Sequence, residues 1–153
     1  MQIGLVPSLV VVSMLLGTAL AWADTIHENE TITTNTTWTA AGNDHIVTGY
    51  VQVSSGVTLT IEDGCIVKFD NGASIGVYGT LNATGTSSIL FTRRNPADEW
   101  YGLWFYSGSG GTLEYCTIEY ATYSTGYGIY ANGAFPTIEH CTIKNNDHGI
   151  YAQ

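Results

Sequence analysis

The second half of the chain repeats itself, and the repeat restricts the fold more than any other feature. Thr112-Leu-Glu-Tyr-Cys-Thr-Ile-Glu-Tyr120 aligns with Thr137-Ile-Glu-His-Cys-Thr-Ile-Lys-Asn145, 25 residues later. A second series consists of Gly102-Leu-Trp-Phe105, Gly128-Ile-Tyr-Ala131 and Gly149-Ile-Tyr-Ala152. Because the two series interleave, each repeat unit contains several short strands separated by corners.

The same register extends towards the N terminus and defines three families of strands. Their predicted inward positions are Val51, Ile75, Leu103, Ile129 and Ile150 in the first family, Leu59, Leu81, Leu113 and Ile138 in the second, and Val67, Ile89, Ile118 and Ile143 in the third. Apolar and polar residues alternate in each strand, which is typical of half-buried strands.

Such a coil cannot bury its own apolar face, whereas stacked coils can, because like strands then pair in parallel about 4.8 Å apart. We therefore predict an all-β fold, a right-handed parallel β-helix of about four to five coils. An antiparallel sandwich is the alternative.

The N-terminal region predicts export. The stretch from Leu5 to Leu20 is almost wholly apolar, and Ala21-Trp22-Ala23 is a small-x-small cleavage pattern, so residues 1–23 are predicted to be a signal peptide of a secreted or cell-surface protein. An uncleaved membrane anchor is the alternative. Residues 24–46 are predicted to cap the N-terminal opening, with Trp38 as an apolar plug, and residues 47–153 to form the coils. The sequence lacks a polar cap at Gln153, so we expect an N-terminal fragment of a longer chain or a partner that covers this end.

The three cysteines test the register. Cys65, Cys116 and Cys141 each lie two residues before a predicted third-strand position and fall into one column. We expect a stack of buried thiols, since free cysteine behaves as a small apolar side chain. A disulfide between Cys116 and Cys141, which an exported compartment permits, is the alternative.

Three further segments carry a family resemblance. Gly56-Val-Thr-Leu-Thr-Ile-Glu-Asp-Gly64, Ile66-Val-Lys-Phe69 and Gly79-Thr-Leu-Asn-Ala83 resemble secreted microbial right-handed parallel β-helix repeat proteins of the pectin-lyase-like superfamily. The resemblance implies the fold. The superfamily contains polysaccharide lyases, glycoside hydrolases and non-catalytic surface proteins, and the fold does not choose among them.

No complete catalytic set is visible, so we predict no catalytic and no metal-binding residue and leave enzymatic activity open. The resemblance implies Gly-His-Gly and Arg-x-Lys segments for hydrolases, but Asn145-Asn-Asp-His-Gly149 is the nearest approach and lacks partner carboxylates. It implies a calcium-binding carboxylate cluster beside a basic residue for lyases, and the outward first-strand positions hold no acid. No cofactor is predicted, with calcium as the exception that the resemblance leaves open. Arg94 would serve a lyase only if carboxylates lay beyond Gln153.

Aromatic residues occupy outward positions of the first strand family. One predicted column reads Tyr50, Gly76, Trp104, Tyr130 and Tyr151, and the next reads Gln52, Tyr78, Tyr106, Asn132 and Gln153. Tyrosine and tryptophan combine an apolar body with a polar tip, so we predict a carbohydrate-binding face formed by Trp104, Tyr106, Tyr130, Tyr151 and Tyr78. Loops at 93–101, 107–111 and 120–127 are predicted to border this face. Stacking for stability alone is the alternative.

The net charge of the chain limits the classes of molecule that it can bind. With a net charge of −9 and four basic residues, the chain is a poor partner for nucleic acid, and for polyuronates unless a cation bridges. We predict non-catalytic binding of an extracellular polysaccharide, with no membrane contact apart from the export signal. The alternatives are a fragment of a polysaccharide lyase or glycoside hydrolase with catalytic residues beyond Gln153, a cell-surface structural or adhesin stalk, and an ice-binding array of Thr58, Thr80, Thr112 and Thr137.

Overall fold

The computed structural model describes residues 23–41 and 43–153, and this part of the chain is built of strands. No helix among these residues has the length and apolarity to cross a bilayer. The predicted export signal lies outside the described residues except for Ala23. The strands in chain order are β1 (Thr25–His27), β2 (Thr31–Ile32), β3 (Thr36–Trp38), β4 (His45–Val47), β5 (Tyr50–Val53), β6 (Thr58–Ile61), β7 (Ile66–Phe69), β8 (Ser74–Val77), β9 (Thr80–Arg93), β10 (Gly102–Phe105), β11 (Gly110–Glu119), β12 (Tyr127–Ala131), β13 (Phe135–Glu139), β14 (Thr142–Lys144) and β15 (His148–Ala152).

The strands form a parallel β-solenoid of about five turns. All pairings between the described strands are parallel, which excludes the antiparallel sandwich. The first strand family forms a six-stranded sheet in the order β15-β12-β10-β8-β5-β2. The second and third families form one nine-stranded sheet, because β9 and β11 run continuously through the corner between them.

Residues 25–47 form a turn of the solenoid, which differs from the predicted cap over 24–46. Strand β1 pairs with β4, β2 pairs with β5 and β3 pairs with β6, each in parallel. The segment has too few apolar residues for the sequence to predict strands there. Its backbone N–H and C=O groups nonetheless form hydrogen bonds with the next turn. Trp38 is 2 % exposed and lies in the core of this turn.

The core is a continuous column of aliphatic and aromatic side chains inside the solenoid. The first-family column is confirmed residue by residue: Val51 lies opposite Ile75, Ile75 opposite Leu103, Leu103 opposite Ile129 and Ile129 opposite Ile150. The first four of these turns bury the residue fully, whereas Ile150 in the last turn is 51 % exposed.

The second-family column is wrong by two residues at one step. Leu59 faces Leu81 as predicted, but Leu113 lies opposite Ala83, and Gly111 lies opposite Leu81. Strand β11 begins with Gly110 and Gly111. Because glycine has no side chain, the apolar pattern could not show that these two residues belong to the strand. The same offset breaks the predicted threonine array, because Thr112 lies opposite Asn82 instead of Thr80.

The third-family column contains Phe91 in place of Ile89. Val67 and Ile118 both pair with Phe91, while Ile89 lies opposite Cys116. At the corner, residues 85–88 lie across from Tyr115 alone, so the chain of β9 is longer there than that of β11. Both Ile89 and Phe91 are fully buried, and alternation alone could not decide which of them continues the column.

The cysteines lie at the corners between the second and third strands, each after a residue with positive φ. All three are free thiols. Each donates a hydrogen bond to a carbonyl oxygen one turn below, at 3.3–3.4 Å: Cys65 to Trp38, Cys116 to Ala83 and Cys141 to Leu113. Each thiol hydrogen thereby has an acceptor inside the protein, and the Trp38 carbonyl oxygen also accepts from the Glu62 amide at 3.0 Å. The structure thus has free thiols in one column, but Ile89 lies between Cys65 and Cys116, and Cys141 is half-buried. Burial, and then the neighbouring Cys141, raises the pKa of Cys116 to about 12.

Gly111 offers a test of the offset register. Its φ is 131°, and a Cβ at this position would collide with the carbonyl oxygen of Leu81. We expect Gly111→Ala to lower the free energy of unfolding by roughly 3 kcal/mol or more, because backbone strain and a backbone clash add. Urea unfolding measures this.

Gly108 is the matched control. Its φ is 81°, but a Cβ there would meet no atom within 4 Å. We expect Gly108→Ala to cost only about 1–2 kcal/mol, from the left-handed backbone conformation. Equal losses in the two variants would contradict the register that places Gly111 against Leu81.

Candidate functional site

The outer face of the six-stranded sheet is the candidate site, and its strands carry no formal charge at neutral pH. Among the described residues, β2, β5, β8, β10, β12 and β15 contain no aspartate, glutamate, lysine or arginine. His148 is the only histidine in these strands. The face therefore presents aromatic rings, hydroxyls and amides in a protein whose net charge is −9.

Three predicted site residues form one stack, here called the aromatic ladder: Trp104, Tyr130 and Tyr151. They are register partners on β10, β12 and β15. Trp104 and Tyr130 have ring centroids 4.3 Å apart at 29°, and Tyr130 and Tyr151 are 5.0 Å apart at 4°. These separations are close to the spacing of neighbouring strands, because each ring stands outward above its partner.

The other two predicted residues, Tyr78 and Tyr106, stack with centroids 4.4 Å apart at 8°. They follow β8 and β10, so they lie beside the aromatic ladder instead of in it. Tyr50 differs from the predicted column, because it pairs with Ser74 while Gln52 pairs with Gly76. Its ring nonetheless lies over Gly76, where a Cβ would collide with the phenol oxygen.

Tyr50, Tyr78 and Tyr106 form a second group, here called the tyrosine cluster. Burial first, and then a hydrogen bond with Tyr78, raises the pKa of Tyr50. Burial first, and then the neighbouring Tyr78, raises the pKa of Tyr106. The phenol oxygens are thus gathered at one place, although Tyr50 and Tyr78 keep 36 % and 39 % of their surface exposed.

Further aromatic residues complete the face: Tyr101 and Tyr123 lie in the predicted border loops, and Tyr127 and His148 are the first residues of β12 and β15. Tyr101 and Tyr127 contact Trp104 edge to face, at centroid distances of 6.4 and 6.3 Å. Tyr123 packs on Tyr101 at 4.5 Å, and His148 stacks on Tyr127 at 4.9 Å. The signal in the sequence was their position at the start of a first-family strand or in the loop that precedes one.

Hydrogen bonds within the face use some of its polar tips. The Trp104 Nε1–H donates to the Tyr101 carbonyl at 3.1 Å, so it is engaged within the protein. The Tyr151 hydroxyl donates to Gln153 at 2.9 Å. The Tyr130 oxygen accepts from the Asn132 amide at 3.4 Å, which leaves its own O–H as a donor.

The stacking decides which part of each ring is accessible. Rings that lie face to face along the ladder cover each other's faces, so their edges and hydroxyls point outward. A sugar ring cannot insert between centroids 4.3–5.0 Å apart. The face therefore offers hydroxyl donors and C–H edges instead of a row of open stacking platforms.

The other candidate residues lie apart from this face. Glu114 and Glu139 are register partners on the nine-stranded sheet. Arg94 contacts Asp70 at 3.3 Å, and Lys144 contacts Glu119 of the neighbouring turn at 3.3 Å. Within 23–41 and 43–153, no group of three or more histidine, cysteine or acidic residues is arranged to hold a metal ion.

Comparison with known proteins identifies the architecture. The family model described as "Right handed beta helix region" matches residues 25–153. The chain belongs to this β-helix family. No curated protein and no solved structure gives a significant match. Membership in the β-helix family establishes fold and handedness, and the ligand has to be argued from the face itself.

The tyrosine cluster of this β-helix predicts a loss of stability in alkali. Because the folded protein holds the Tyr50 proton above its ordinary pKa of about 10, the unfolded chain releases that proton first. The free energy of unfolding should fall as the pH rises through about 10. The slope should stay below the ~1.4 kcal/mol per pH unit of one fully linked proton, since Tyr50 is partly exposed.

Tyr50→Phe should reduce this slope, and Tyr115→Phe, at a tyrosine of the other sheet, should leave it in place. Urea unfolding at about pH 9 and about pH 11 measures the difference. An unchanged slope in Tyr50→Phe would mean that the cluster does not hold its protons as described.

Proposed function

We propose that this β-helix protein is extracellular and binds a neutral polysaccharide along the six-stranded sheet, without cleaving it. The observation that carries the proposal is an uncharged face of stacked aromatic residues on an otherwise acidic protein. Large aromatic surfaces that a core does not require usually mark interaction sites. The face follows the solenoid axis, so its length suits an extended polymer.

Charge selects the class of polysaccharide. A polyuronate carries one negative charge on each sugar and would meet a protein of net charge −9. Like charges are unfavourable and slow association. The six strands supply no lysine or arginine to pair with a carboxylate. A glycan with hydroxyls alone avoids both costs, because tyrosine hydroxyls and amides can bond to it directly.

Hydroxyls and ring edges would make the contacts. Tyr130 retains a free O–H donor, and the tyrosine cluster gathers three phenols beside the ladder. Rings that are stacked on one another and half-buried are held in place, so binding requires little ordering of side chains. We therefore expect modest affinity per sugar and a total that grows with the length of the glycan.

A second candidate function is a structural scaffold at the cell surface. The mutual stacking of Trp104, Tyr130 and Tyr151 favours it, because like rings on neighbouring strands stabilise their pairing without any ligand. In that case the aromatic ladder holds turns together, and binding, if any, lies elsewhere in the protein.

Binding to polysaccharides separates the two. We expect the protein to be retained by neutral polymers such as galactomannan or cellulose more than by polygalacturonate. Tyr130→Phe keeps the ring and removes one donor, which should weaken binding roughly three- to tenfold, as expected for one net hydrogen bond of about 0.5–1.5 kcal/mol. Affinity electrophoresis in gels that contain each polymer measures this.

Tyr115→Phe is the matched control, since Tyr115 also stacks on an aromatic ring, His140 at 4.9 Å, but on the other sheet. It should bind as the unaltered protein does. Retention that is equal in Tyr130→Phe and the unaltered protein, or absent for every neutral polymer, would refute the proposal and favour the scaffold. Released sugars in the same assay would instead indicate a lyase or hydrolase.

A further inference from the structure

Two histidines lie inside the first turn of the solenoid, far in sequence from the aromatic ladder. His27, at the end of β1, is 7 % exposed, and His45, at the start of β4, is 5 % exposed. The indole of Trp38 stacks on both imidazoles, with centroids 4.0 Å from His27 and 5.0 Å from His45. Burial of two imidazoles in a small turn is costly unless their nitrogens are bonded.

All four ring nitrogens are bonded, in one linear chain. Glu30 Oε2 lies 2.7 Å from His27 Nδ1, and His27 Nε2 lies 3.1 Å from His45 Nδ1. His45 Nε2 lies 3.0 Å from the carbonyl oxygen of Thr39. This row of hydrogen bonds ends at Glu30. The Glu30 side chain is 41 % exposed, so protons can exchange with solvent there.

Counting hydrogens fixes the protonation state of this chain. A carbonyl oxygen only accepts, so His45 Nε2 must carry a hydrogen. Each of the three bonds needs one hydrogen, and a carboxylate and two neutral imidazoles hold only two between them. Every arrangement that satisfies all three bonds therefore holds one additional proton, and the group of Glu30, His27 and His45 has no net charge.

Other protonation states of Glu30, His27 and His45 leave two acceptors or two donors facing each other. If the additional proton is lost, one of the three contacts has no hydrogen, so an imidazole lone pair faces the Glu30 carboxylate, the lone pair of the other ring or the Thr39 carbonyl oxygen. If the two rings gain one more, two N–H groups meet between His27 and His45. Either change leaves buried polar groups without partners, which costs about 1–3 kcal/mol each.

The surrounding charges do not replace this proton. Asp44 is next to His45 in the chain but pairs with Lys68 of β7. Asp24 and Glu28 are exposed to solvent. The Cys65 thiol donates to the Trp38 carbonyl instead of to a histidine. The Trp38 indole, stacked flat on His27, favours a cationic ring through its π electrons.

We propose that Glu30, His27 and His45 form a proton relay that keeps the first turn closed in one protonation state and lets it open when a proton is added or removed. The relay makes the N-terminal turn a pH-dependent element, while the later turns are held by apolar packing. The proposal does not depend on what the aromatic ladder binds.

The direction of the acid limb follows from burial. Burial, offset in part by the bond to Thr39 and reinforced by His27, lowers the pKa of His45. The unfolded segment then takes up a proton at the ordinary value of about 6.5, before the closed turn does. On the acid side, closure therefore weakens as the pH falls through that value, by at most about tenfold per pH unit for one proton.

Glu30→Gln tests the alkaline limb. Glutamine can donate an N–H to an unprotonated His27, so two neutral rings satisfy all three bonds. Hydrogen-exchange protection of the Thr25 and Thr48 amides, which bond to Asp44 and His27 across the turn, reports closure. In the unaltered protein we expect protection to fall by up to about tenfold per pH unit on the alkaline side, relative to the Tyr106 amide of a later turn. In Glu30→Gln we expect this fall to disappear and the acid limb to remain.

Glu28→Gln removes the same charge from an exposed neighbour and should behave like the unaltered protein. Equal profiles in Glu28→Gln and Glu30→Gln would overturn the relay in favour of a general charge effect. So would protection that stays constant in the unaltered protein from about pH 7 to about pH 10. Imidazole ¹⁵N spectra, read together with the ¹³C shift of the Glu30 carboxyl, give an independent count: three hydrogens on the two rings and the carboxyl together support the relay, and two exclude it.

Discussion

Parallel pairing of each strand with its equivalent one turn away is the interaction on which the structure depends. It satisfies the backbone N–H and C=O groups of short strands that no single turn could pair. It also places equivalent side chains at the strand spacing, where aliphatic residues fill the core and aromatic residues stack outside. The same geometry therefore produces the apolar core, the aromatic ladder and the cysteine column at different positions of the turn.

The fold could be predicted because parallel pairing of equivalent strands requires apolar residues to recur once per turn in the sequence. The first-family column was identified correctly from Val51 to Ile150, since in every strand there an aliphatic residue lies between glycine, polar or aromatic neighbours. The errors arose where the apolar repeat gives no information about the register. Gly110 and Gly111 add two paired residues without side chains, and the longer corner of β9 exchanges Ile89 for Phe91. The first turn was missed because β1 to β3 are only two or three residues long.

The sequence predicted which aromatic side chains share a face, but it did not predict which part of each ring is exposed. Alternation put Trp104, Tyr130 and Tyr151 on one face, and they are stacked there. Which side of each ring faces solvent depends on side-chain torsions, and these follow from the neighbouring turn and not from the local sequence. The histidine relay had no periodic signal at all. His27 and His45 meet only because β1 pairs with β4, so the pairing had to be known before their bonds could be recognised.

The corner loops have a consequence for how such a chain changes over evolutionary time. The segment between β9 and β10 leaves the stack and returns, and Trp100 fastens it by stacking on Phe69 with centroids 3.9 Å apart. Residues inserted within such an excursion leave every strand partner unchanged, whereas one residue inserted inside a strand would turn its core side chains outward. Duplication of a whole turn also preserves every partner. Lineages of this architecture should therefore diverge by lengthened excursions and by gain or loss of complete turns, with strand lengths nearly constant.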